Sequence, residues 1–157
     1  MPVTVEVSIS EDLLVETPDA GDDDVPEPEL LQSWADAAYL DNGSAVASMM
    51  ITTSAEIQQL NKQYRHKDAP TNVLSFPMQL PEEVDVHFLG DIALCASVIK
   101  RESEEQSKAL PFHWAHMVVH GMLHLQGYDH IEDAEAEEME KLEVDILNKL
   151  GFDNPYK

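Results

Sequence analysis

An α+β fold, a small mixed four-stranded sheet packed by about five helices, is what this sequence predicts. Three observations lead to it. Strand-like stretches are interleaved with stretches of helical spacing through the first two thirds of the chain. The last third carries helical spacing only, which sets helices on the sheet instead of continuing it. No repeat or linker divides the 157 residues, so one domain over 1–157 with its own core is expected.

The elements follow in order. Val3, Val5, Val7 and Ile9 alternate with polar residues and read as a half-buried strand. Asp19 to Pro28 is acidic, with Gly and prolines, and reads as a loop. Glu29 to Leu40 spaces Leu30, Leu31, Trp34, Ala37 and Ala38 as a helix face. Asn42-Gly43 marks a turn, and Ala45 to Thr52 reads as the second strand. Thr53-Ser54-Ala55-Glu56 is a capping box. It opens a helix with Ile57, Leu60 and Tyr64 on its buried face, which Asp68-Ala69-Pro70 ends. Val73 to Phe76, stopped by Pro77, reads as a third strand. His87 to Cys95 reads as a fourth, kinked at Gly90-Asp91. Residues 97–108 read as a polar helix. Pro111 suits the first turn of the next helix, which runs to about Gln126, amphipathic through Trp114, Met117, Val118 and Leu125. The last helix begins near Asp133, with Ala136, Met139, Leu142, Ile146 and Leu150 on one face, and Gly151 stops it.

Composition narrows the class. Hydrophobic residues make up 43% of the chain, enough for a globular core. The first residues show no basic region followed by an apolar run, and no apolar stretch reaches membrane-spanning length, so neither a secretory signal nor a membrane partner is expected. Cys95 is the only cysteine. It cannot form an internal disulfide and reads as a small buried apolar residue, in keeping with a reducing, cytoplasmic setting. The net charge of −22 argues by itself against a polyanionic partner. Its distribution softens that argument. Residues 1–36 hold eleven acids and no base, whereas six of the nine basic residues fall between Lys62 and Lys108.

The richest chemistry lies in His120-Gly121-Met122-Leu123-His124-Leu125-Gln126-Gly127-Tyr128-Asp129-His130. Residues i and i+4 share a helix face, so His120 and His124 can grip one ion. Gly127 tolerates a left-handed backbone that lets the helix end and the chain turn His130 in as a third ligand. Three nitrogens leave one tetrahedral position open, as in catalytic zinc sites. The same donors also accept nickel or another divalent ion. An i, i+4 pair alone would read as ordinary surface or core histidines; a third at this spacing, with a glycine at the turn, points to a metal. The spacing is that of the metzincin ligand frame, but Gly121 stands where those proteases carry the Glu that serves as general base. His116, one turn before His120, reads as an ordinary polar residue near the site, with a partner that supports the ligands as the alternative; His113 reads as an ordinary polar residue.

A second cluster runs from Asn61 through Arg65, Asp68 and Thr71 to Asn72-Val73-Leu74-Ser75-Phe76. Arg65 falls near a helix end before a tight loop. Its guanidinium could hold a phosphate by paired hydrogen bonds. It could equally serve as a helix C-terminal charge paired with Asp68. Residue spacing leaves the two readings even.

This segment, Leu89-Gly90-Asp91-Ile92 and the histidine motif together resemble the YbeY family of bacterial endoribonucleases. The likeness covers roughly residue 45 to the C-terminus, including Glu137 to Glu143 and Asp153 to Tyr156. The resemblance implies a metal-dependent, single-strand-specific RNase. It further implies a role in ribosomal RNA maturation at the small-subunit 3′ end and in ribosome quality control. RNA and ribosomal proteins or other ribosome-associated factors are the implied partners. His120, His124 and His130 match the family's ligands, and Arg65 its key arginine. Asn72 departs from the family's more frequent Asp, so no charged role carries over to that position. The general base stays open among Asp129, a bound hydroxide and the RNA 2′-OH; beside a ligand, Asp129 suits orienting a histidine. A metal-dependent hydrolase of a peptide or small molecule, and a zinc-stabilised binding module without turnover, are the alternatives.

Overall fold

The computed structural model describes residues 3–10, 25–41, 43–77, 87–128 and 132–156. Most of the loop expected over Asp19 to Pro28, Asn42 of the expected turn, and both Asp129 and His130 lie outside the described residues. Among the described residues there are four strands and five helices. They run β1 (Val3–Ile9), α1 (Pro28–Ala38), β2 (Ala45–Thr52), α2 (Ser54–Arg65), β3 (Val73–Pro77), β4 (His87–Cys95), α3 (Ala96–Glu105), α4 (Leu110–Leu125) and α5 (Asp133–Lys149). No helix among the described residues is long and apolar enough to cross a membrane.

The sheet order is β1-β2-β4-β3, parallel for the first two pairings and antiparallel for β3 on β4. Alternation sorts its two faces. Ala47, Met49 and Ile51 of β2 join Ile92 and Leu94 of β4 in the main core, with α1, α4 and α5 above them. The opposite face packs Ala93 and Cys95 against Ile57 of α2 and Val98 of α3. The β1 edge is closed by side chains of α1. Gln32 Oε1 accepts from Val5 N at 2.8 Å, and Gln32 Nε2 donates to the Val3 carbonyl at 2.7 Å. That satisfies backbone groups that an edge strand otherwise leaves unpaired.

The kink expected at Gly90-Asp91 is a β-bulge one residue earlier. Val46 pairs with Phe88 and Ala47 with Gly90, so Leu89 is the extra residue. Gly90 has φ +141, and a Cβ there would lie 2.2 Å from the Phe76 carbonyl oxygen. Only glycine lets β3 approach that closely.

Two expectations are corrected. Tyr64 is not on the buried face of α2: it is 53% exposed, and Asn61 is the buried polar residue there, donating to the Ala69 carbonyl. α4 is not amphipathic but buried nearly all round, from His113 to Leu125. Its second face is covered by α5 and the C-terminal segment, where Phe152 stacks on Phe112. A helix buried on nearly all sides is the central element of its domain.

Candidate metal centre

His113, His116, His120 and His124 follow the three- and four-residue steps that line one stripe of a helix. The His120 and His124 rings meet edge to face with centroids 4.6 Å apart, and their Nε2 atoms lie 3.1 Å apart. Two imidazole nitrogens on one tetrahedral zinc, each at 2.0–2.1 Å, stand about 3.3 Å apart. The observed spacing fits that donor pair. His130 lies outside the described residues, and among those described no group of three His, Cys, Asp or Glu surrounds one point. Gly127, with φ +98, ends the helix region as the sequence requires.

The side of His120 away from His124 is held by an acid that sequence reasoning passed over. His120 Nδ1 lies 2.7 Å from Glu143 Oε1, and His116 Nε2 lies 2.7 Å from Glu143 Oε2. The Tyr156 hydroxyl donates to the same Oε2. Glu143 is 1% exposed. Burial pushes its pKa up, but hydrogen bonds and charge from His116 and His120 more than reverse this and hold it at about 2. An ionised carboxylate only accepts, so His120 Nδ1 carries the proton of that hydrogen bond, and Nε2 is the ring atom that faces His124. Burial, then the Glu143 carboxylate, push the Tyr156 phenol well above its ordinary value. One signal for Glu143 was available: an acid four residues after Met139 and three before Ile146 falls on the buried stripe of α5. His113 and His116 are likewise not ordinary polar residues. They are 2% and 7% exposed, and His113 Nε2 meets Glu102 Oε1 at 2.9 Å.

Arg65 closes α2. Thr53 Oγ1 caps the start by accepting from Glu56 N, and His66 ends it in the left-handed conformation. The Glu56 carboxylate accepts from Thr52 Oγ1 and Ser10 Oγ, outside the expected box. Arg65 turns to the sheet instead of to Asp68. Its Nη2 donates to the Ser75 carbonyl at 2.5 Å and its guanidinium lies 5.5 Å above the Phe76 ring. Asp68 is engaged by Lys62 and Gln58. Ser75 also donates through Oγ to the Gly121 carbonyl at 3.1 Å. One residue of β3 therefore ties Arg65 to the turn of α4 that carries His120. Asn72 donates to Glu102, the acid that also holds His113. A neutral donor there avoids setting two carboxylates face to face.

Gly121 faces the sheet. A Cβ on it would lie 3.2 Å from Ile92 Cγ2 and 3.3 Å from Ser75 Oγ. The position directly after His120 is filled here by contact between α4 and the sheet.

The family model for Endoribonuclease YbeY matches residues 28–151. A protein named Endoribonuclease YbeY from Alteromonas mediterranea is 54% identical over 135 residues, which cover 85% of this chain and 85% of its own length. Its namesake from Colwellia psychrerythraea is 50% identical over 137 residues, 84% of this chain and 88% of its own. The solution structure of TM1509 from Thermotoga maritima has the same fold, with a TM-score of 0.51 at 24% identity over 98% of this chain and 99% of that one.

Proposed function

This chain belongs to the YbeY family and is an endoribonuclease, and from that premise we propose that it is a zinc-dependent enzyme specific for single-stranded RNA. It acts as a single domain in the cytoplasm, in small-subunit ribosomal RNA 3′-end maturation and ribosome quality control, with ribosomal proteins or other ribosome-associated factors as partners. His120, His124 and His130 hold one ion. A zinc ion there supplies Lewis acidity at a phosphoryl oxygen and brings the pKa of water toward neutrality.

The remaining work falls to the chain's own residues. Arg65 binds the scissile phosphate and balances the negative charge that grows on it during displacement. Its tether to the Ser75 carbonyl and its seat over Phe76 restrict the guanidinium, so less freedom is lost when phosphate binds. Gly121 presents no carboxylate, so the general base stays open between Asp129, a bound hydroxide that needs none, and a route in which the RNA 2′-OH is the nucleophile.

The observation that carries this reading is the facing pair of Nε2 atoms of His120 and His124, backed by Glu143, in a chain of a ribonuclease family. The test incubates zinc-loaded protein with single-stranded RNA, double-stranded RNA and casein, with His124→Ala and Arg65→Ala alongside. Single-stranded RNA alone should be cut, and both variants should be slow. Equal cleavage of duplex overturns the strand preference. A full rate in His124→Ala overturns the metal site, and a full rate in Arg65→Ala leaves that residue a helix-end charge.

A further inference from the structure

Glu143 and Tyr156 stand outside the histidine motif, yet they complete the surroundings of His120. Glu143 uses its oxygens separately. Oε1 meets His120 Nδ1 at 2.7 Å, and Oε2 meets His116 Nε2 at 2.7 Å and the Tyr156 hydroxyl. A buried carboxylate persists only where such donors satisfy it.

Tyr156 is delivered by a fastened C-terminal segment. Lys108 Nζ donates to the Pro155 carbonyl at 2.8 Å, and Phe152 stacks on Phe112 with centroids 5.4 Å apart. Tyr156 N donates to Asn154 Oδ1 at 2.8 Å. Although Tyr156 is 49% exposed, its hydroxyl reaches the buried acid.

We propose that Glu143, held by Tyr156 and His116, is a positioning residue for the metal: it fixes the His120 ring with the proton on Nδ1 and the Nε2 lone pair turned toward His124. The proposal rests on the metal reading above. It makes the C-terminal segment part of the site's construction, although that segment supplies no ligand. The opposing view is that the network only secures α5 against α4.

The two views differ in what they predict for metal affinity and for the His120 tautomer. Zinc dissociation constants are measured by chelator competition for the unaltered protein, Glu143→Gln and Tyr156→Phe. Imidazole tautomers are read from long-range 1H–15N spectra of the metal-free proteins. A carboxamide has one acceptor oxygen and cannot serve both rings. Glu143→Gln should weaken zinc binding about 10–100-fold, with His120 losing its Nδ1-protonated form. Tyr156→Phe should lose affinity in the same direction by less. If Glu143→Gln does not fold, Tyr156→Phe decides. Equal zinc affinity and an unchanged His120 tautomer in the variants overturn the positioning role alone. Absence of zinc binding by the unaltered protein overturns both this role and the metal reading beneath it.

Discussion

At Gly121 the missing side chain has a packing cause, since a Cβ would press on Ile92 and Ser75 at 3.2–3.3 Å. Replacing a helical glycine by alanine gains about 0.8–1.0 kcal/mol of helix propensity. That gain offsets a contact tight by a few tenths of an ångström, so Gly121→Ala should leave the urea midpoint nearly unchanged. Glutamate has no such escape. Gly121→Glu should lose about 1–3 kcal/mol of stability in urea unfolding. It should cleave no casein, because the carboxylate would enter the sheet contact. At Arg65, charge and geometry separate. Arg65→Lys keeps the charge and loses the planar fork that grips phosphate and lies on Phe76. The residue is exposed, so stability should move by no more than about 0.5 kcal/mol. The cleavage rate of single-stranded RNA should fall by about 10²-fold, with zinc content unaltered.

At the scale of elements, α4 joins sheet, α3 and α5, and its buried histidines are the joints. His113 Nε2 meets Glu102 of α3, while its Nδ1 has no hydrogen-bond partner among the described residues. Charging the ring would bury an N–H with nothing to accept it. Desolvation accordingly lowers the His113 pKa, and Glu102 only partly restores it. Because the folded pKa lies below the unfolded one, the neutral ring stabilises the fold above the ordinary histidine value of 6.5, and that stability is lost as pH falls through and below it. Urea midpoints measured between neutral and mildly acid pH should fall more steeply for the unaltered protein than for His113→Gln. Parallel curves would remove His113 from the acid response. The histidine spacing was plain in the sequence. That α4 is enclosed on both faces was not, because its cover comes from α5 and from Phe152 and Tyr156 at the far end of the chain.

Across the whole molecule the charge is −22, and its cations are partly spent on the chain itself. Lys62 pairs with Asp68, Arg101 with Glu105, and Lys108 donates to Pro155. If the group between Lys62 and Lys108 neutralises no more than roughly three phosphates, the slope of log binding constant against log salt on single-stranded RNA should be about −2. A slope several-fold steeper, from titrations at stepped salt, would mean a larger basic surface than this one. The ion has a global signature as well, since a ligand that binds only the folded state stabilises it. Zinc at about 100 times its dissociation constant should add about 2.7 kcal/mol to unfolding. Equal melting with chelator and with zinc would take the ion out of the reading.

By itself the sequence determined the elements and the chemistry that lies close along the chain. Alternation marked β1, the capping residue Thr53 marked the start of α2, and the H-x3-H step set His120 beside His124. These depend on periods of two and 3.6 residues, which act over a few positions. Only the tertiary structure decided what lies behind those residues. Glu143 lies 23 positions from His120, Ser75 lies 10 from Arg65 and 46 from Gly121, and Ile92 meets Gly121 from another element. Such partners meet because α4 must bury both of its faces, and no local period records which distant residue will be there when it does.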